Sequence, residues 1–164
     1  MRDFANEPLV LGIGNSLLSD DGVGIHVVNA LEAMRSDGAE LRPFATRDGG
    51  TIGLALLSEI AGRDDLIVVD AMELHAAPGT VRVFRDADMN RQLSGVKKSA
   101  HEVALADLIQ ASELAGFAPK RRALVAVQPE ITTWGLTPTP AVQEAVDTAR
   151  DEILSILAEW SNGN

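Results

Sequence analysis

The chain has 164 residues and 46% hydrophobic content, a size at which one domain buries about two-thirds of the surface its unfolded form exposes, so a single domain over 1–164 is expected. Cysteine is absent, which excludes disulfides, thiolate metal sites and a cysteine nucleophile and fits a reducing compartment, leaving nitrogen and oxygen donors for any metal. The formal net charge of -10 opposes nucleic-acid binding, and neither a secretory leader in MRDFANEPLV nor a run of ~20 apolar residues is present, so a cytoplasmic protein with no membrane span is expected.

In chain order, strand-like runs fall at Pro8–Ile13, more weakly at Ala39–Phe44, then at Leu66–Asp70, Thr80–Phe84 and Leu124–Gln128. Helical spacing joins Val23, Val27, Leu31 and Met34 after the first strand, and Val142, Val146, Ala149, Ile153, Leu157 and Trp160 from Pro140 onward. Strands alternating with helices predict an α/β domain whose mostly parallel sheet is covered on both faces. The connection AMELHAAPG is too short for a helical crossover and carries a Pro-Gly turn, so Thr80–Phe84 is expected to run antiparallel to its neighbours.

Three loops carry candidate chemistry. The first, GIGNSLLSDDGVG over Gly12–Gly24, fails the dinucleotide fingerprint because Leu17 stands where the third glycine belongs, and no phosphate-binding G-x-x-x-x-G-K-[ST] is present. It leaves Asp20 and Asp21 at the start of the first helix, where acids ordinarily offset exposed N–H groups. The second loop follows LIVVDA, where Asp70 ends an apolar strand and needs a partner, hydrogen bonds or a cation. Its place beyond a strand's carboxyl end is where open α/β sheets bind ligands.

The third loop is KKSAHEVALADL, in which Ser99 and Glu102 have capping-box spacing and place His101 in a first helical turn. That position favours the neutral imidazole that coordinates metal. Two carboxylates and one imidazole suit nickel or zinc and leave room for a substrate. His26 and His75 lack such company and are assigned to structure or solvent. Asp48 in DGGT fits either a substrate contact or an ordinary turn. Ser16, Ser19 and Ser99 lie in these loops, but no G-x-S-x-G elbow supports a serine triad.

Taken together, LVLGIGNSLLSDDGVG, DGGT, LIVVDA, APGTVRVF, SAHEVALADLI and VAVQPE with GLTPTP resemble, in order and spacing, the hydrogenase maturation endopeptidases. That resemblance implies a three-layer α/β/α sandwich with a five-stranded mixed, mostly parallel sheet. It also implies removal of a C-terminal peptide from the nickel-loaded precursor of a nickel-iron hydrogenase large subunit. Metal ligands would be Asp21, Asp70 and His101, with nickel supplied by the substrate as a checkpoint and Asp21 or Asp70 serving as base. The first ligand is Glu in some members of the family and Asp in others. The competing expectations are a non-proteolytic metalloprotein-binding module and a nucleotide-binding enzyme. Leu17, Leu18 and Trp134 are candidates for an apolar surface that meets the large subunit, and oligomeric state is left open, a monomer being compatible.

Overall fold

The computed structural model describes residues 6–51, 53–95 and 99–163. Its strands are β1 (Leu9–Gly12), β2 (Ala45–Asp48), β3 (Asp65–Ala71), β4 (Val81–Arg85) and β5 (Arg121–Val127). They form one sheet of order β2-β1-β3-β5-β4. β1 pairs in parallel with β2 and β3, and β3 with β5. β4 is antiparallel to β5, with Val83 opposite Val125, as its short, turn-bearing connection requires.

Alternate residues of each strand serve opposite layers. On one face Val10, Ile67, Val69 and Val125 join Val27 and Leu31 of α1 (Val23–Ser36) and Val146, Ile153 and Leu157 of α5 (Pro140–Asn162). On the other, Leu9, Leu11, Leu66, Val68 and Leu124 meet three helices: α2 (Leu57–Ile60), α3 (Asp86–Leu93) and α4 (Ala100–Leu114). This is the expected three-layer arrangement. Every residue of β3 is buried, which explains its unbroken apolar run. Each fully buried Leu or Ile in these layers contributes about 1.5–3 kcal/mol.

Two strands differ from expectation by more than one residue. The weak run at Ala39–Phe44 is irregular, and the edge strand follows it as Ala45–Asp48, starting where the Ala45 N–H donates to the Pro8 carbonyl at 2.8 Å. Pro43 has no N–H for a ladder, and the half-exposed sequence ATRD of an edge strand carries no apolar signal. β5 begins three residues before the expected Leu124, because Arg121 enters the ladder while its guanidinium pairs with Asp65 at 2.6 Å. Gln128, expected to end that strand, lies beyond it.

Asp20 and Asp21 also depart from the simple reading. They sit in a separate 3-10 turn, Ser19–Gly22, and the first turn of α1 contains no acid. Among the described residues no helix is long and apolar enough to cross a membrane.

Candidate functional site

β1 and β3 lie side by side, yet the chain leaves β1 for β2 on one side while the sheet continues from β3 to β5 on the other. The crevice at such a reversal is the usual ligand position in an open sheet. Asp70, near the end of β3, shares strand parity with Leu66 and Val68 and so faces the α4 layer. Ser99 is the N-cap of α4: its hydroxyl accepts the Glu102 N–H at 3.3 Å and the Glu102 carboxylate accepts the Ser99 N–H at 2.6 Å. That capping box sets the first turn and presents His101 to Asp70.

The three expected residues are brought together. His101 Nε2 lies 3.6 Å from Asp21 Oδ2, and its Nδ1 lies 3.7 Å from Asp70 Oδ1. The ring therefore sits between two carboxylates at contacts longer than hydrogen bonds. Among the described residues, no three or more His, Asp and Glu groups gather on one metal-sized point.

Asp70 is 0% exposed, and neither of its carboxylate oxygens has a hydrogen-bond partner; His101 Nδ1 is likewise unpartnered. Burial pushes the Asp70 carboxyl up to about 7, with His101 opposing that shift and the Asp21 and Glu102 charges adding to it. The Asp70 carboxylate raises His101 above its ordinary value against the effect of burial, with Asp21 and Glu102 assisting. The pair thus stores an unmet demand for positive charge in a dry place.

Asp21 is held differently. Its Oδ2 accepts the Asn15 N–H at 3.0 Å, and it borders a cleft of about 360 Å³ lined also by Met72, Glu73, Ser99, Glu102, Pro129 and Thr132. A hollow of about 410 Å³ between α3 and α4, lined by Asn90, Leu93, Asp107 and Gln110 among others, contains none of the three residues. The first loop can make its turn because Gly14 has φ 137° and its missing Cβ would stand 1.9 Å from the Asp21 carbonyl. Gly14→Ala is expected to cost about 2–4 kcal/mol in a thermal or urea melt and to displace Asp21. An unchanged melt would show that the loop accommodates a side chain there.

The remaining candidates separate cleanly. Asp48 Oδ1 accepts the Gly50 N–H at 2.9 Å, so its carboxylate builds a turn. His26 lies on α1 with its Nε2 buried and unpartnered, and burial lowers its titration; His75 is in an exposed turn beside Glu73. Ser19 Oγ donates to the Thr133 carbonyl at 2.8 Å and Ser99 is committed to its cap, so neither belongs to a triad. Leu17 is 44% and Trp134 75% exposed, whereas Leu18 is half-buried in a single β-bridge to Gly135. That bridge zips the first loop to the 129–139 segment and adds exposed Ile131 and Leu136 to the same rim.

Two residues have supporting roles that the sequence did not reveal. Gln128 Oε1 accepts the Leu74 N–H at 2.7 Å while its Nε2 donates to Glu73 at 3.2 Å, shaping the turn after β3. Asp20 is fully buried and binds the 129–139 segment. Neither has a local signature, because every one of these partners is more than 50 residues away.

Comparison with known proteins adds a second line. The family model described as hydrogenase maturation protease matches residues 25–156. The hydrogenase 2 maturation protease of Escherichia coli K12 is 38% identical over 154 residues, 92% of this chain and 90% of that one. The hydrogenase expression/formation protein HupD of Bradyrhizobium diazoefficiens is 36% identical, covering 94% of this chain and 80% of its own. The solved hydrogenase maturating endopeptidase HybD of E. coli superposes with a TM-score of 0.84 at 37% identity, covering 93% of each chain. A match of this extent means that the chain belongs to the hydrogenase maturation protease family.

Proposed function

We propose that the protein removes a C-terminal peptide from the nickel-loaded precursor of a nickel-iron hydrogenase large subunit, in the cytoplasm. The observation that carries this reading is the sealed Asp70 carboxylate, whose two oxygens lack partners and which faces His101 beside Asp21 and the cleft. An arriving cation meets that deficit, so discrimination between loaded and unloaded precursor becomes a difference of two affinities. Asp21, Asp70 and His101 are the residues we assign to the nickel of the substrate, and two carboxylates with an imidazole suit it chemically.

The nickel that the precursor carries supplies Lewis-acid polarisation of the scissile carbonyl. Of the two carboxylates, Asp21 lines the cleft and Asp70 has no exposure, which supports Asp21 as the base that takes the proton of an attacking water. Asp70 Oδ1 faces His101 Nδ1 at 3.7 Å while Nε2 is turned toward Asp21 at 3.6 Å, so the ring lies between the two carboxylates that we assign with it to the nickel.

The test is incubation of the purified protein with cognate precursor, nickel-loaded or nickel-free, read by intact mass. Loss of a C-terminal peptide only from the loaded precursor is the expected result. Cleavage of both would remove the nickel checkpoint, and metal-dependent binding without cleavage would leave a non-proteolytic module.

The rim formed by Leu17, Ile131, Trp134 and Leu136 adjoins Pro129 and Thr132 of the cleft, and we assign it to contact with the precursor. Trp134→Ala is expected to raise KM for the precursor about 10-fold while changing stability by less than about 0.5 kcal/mol, since the ring is mostly in water. A KM equal to wild type in a steady-state assay would take the rim out of the interface.

A further inference from the structure

We infer that Asp20 is a positioning residue for proteolysis, clamping the 129–139 segment against the first loop so that the substrate cleft has a fixed width. The inference rests on the proteolytic reading above. Asp20 is 0% exposed and does not enter the cluster of Asp21, Asp70 and His101. Its Oδ2 accepts the backbone N–H groups of Glu130 at 2.9 Å and Ile131 at 3.0 Å. Its Oδ1 accepts the Thr139 N–H at 2.6 Å, and the Thr139 hydroxyl lies 3.1 and 2.9 Å from the two oxygens. The Asp20 N–H in turn donates to the Ile131 carbonyl at 2.9 Å.

The place of this clamp separates it from an ordinary structural carboxylate. Asp21, the next residue, lines one side of the cleft, and Pro129 and Thr132 line it from the segment that Asp20 grips. One peptide unit therefore joins the two walls. Thr139 is the N-cap of α5 but makes no side-chain cap bond of its own, so Asp20 also brings its charge to the start of that helix. The clamp is made within the protein itself and is set before substrate arrives, which lowers the ordering cost of binding.

The experiment compares Thr139→Val, Thr139→Ser and Asp20→Asn with wild type in kcat and KM on nickel-loaded precursor. Circular dichroism confirms the folded fraction, and amide exchange is followed at Glu130 and Ile131. Wild type must first cleave the precursor; if it does not, the proteolytic reading itself fails. With wild type active, Thr139→Val is expected to lower kcat/KM about 10- to 100-fold, mainly through KM, with faster exchange at both amides. Thr139→Ser is expected to recover both to within about 3-fold, because it restores the hydroxyl. Asp20→Asn should behave as Thr139→Val or worse, and if it does not fold, the threonine pair decides. Folded variants with faster exchange and wild-type kcat/KM would overturn the inference, showing a clamp that supports the fold alone; so would a loss that serine does not recover.

Discussion

His101→Ala is expected to abolish processing of the nickel-loaded precursor while leaving a folded protein. Loss of a group that merely supports a metal ligand costs about 10- to 100-fold, so loss of a ligand should exceed about 100-fold in kcat/KM. The fold should survive for two reasons. The start of α4 is secured by Ser99 and Glu102, not by the imidazole, and His101 Nδ1 makes no hydrogen bond that would be lost. Alanine is also well suited to a helix, so the stability change should stay within about 2 kcal/mol. Intact mass of the precursor and a thermal melt of the variant check both halves. Full processing by folded His101→Ala would remove the residue from the site.

Asp70→Asn should show the opposite balance, losing activity while gaining stability. The folded carboxyl titrates at about 7 and the ordinary value is 3.8, so between those pH values the folded state binds more protons than the unfolded chain. Stability from this group therefore falls as pH rises from about 4 to 7 and is flat above. The full difference has an upper bound of about 4 kcal/mol. Asparagine carries no charge and follows no such slope, but its amide also lacks partners in this position. We therefore expect Asp70→Asn to be more stable than wild type by about 1–3 kcal/mol at pH 8, with the gain vanishing near pH 4. Urea melts at the two pH values measure this. Destabilisation at pH 8 equal to that at pH 4 would mean that the buried charge is already compensated. A functional group kept at a cost in stability is what an active site is expected to contain.

The two variants are complementary because they touch one pair from opposite sides. Removing the ring leaves Asp70 without the group that opposes its upward shift, and the carboxyl then escapes the penalty by holding its proton. Removing the carboxylate charge leaves His101 without the first cause of its own upward shift. Their effects on stability should consequently fail to add in the double variant, by an amount that measures the coupling.

Much of this molecule was legible in its residues. The apolar runs located β1, β3 and β5, because buried strands need side chains that water rejects on both faces, and Val81, Val83 and Phe84 marked the partly exposed edge strand β4. The short AMELHAAPG connection set β4 antiparallel, because no helix fits in it. Ser99 and Glu102 announced the start of α4 through a rule that operates within three residues. Asp70 and His101 stood out as polar groups in places where burial or a helix end makes them costly or special.

Other features depended on distant partners. β2 was misplaced because an edge strand with a half-exposed face has no apolar pattern, and its register comes from the neighbour it pairs with. Asp20 and Asp21 are adjacent and chemically identical, so no local rule distinguishes them. The tertiary structure does so by bringing Glu130, Ile131 and Thr139 to one carboxylate and His101 to the other. The sequence by itself determined the covered sheet and the strand directions and singled out Asp70 and His101 as candidates, because periodicity, connection length and capping act over a few residues. Which aspartate clamps and which faces the cleft was decided only when segments more than 100 residues apart met, since a hydrogen bond requires its partner in space and not in sequence.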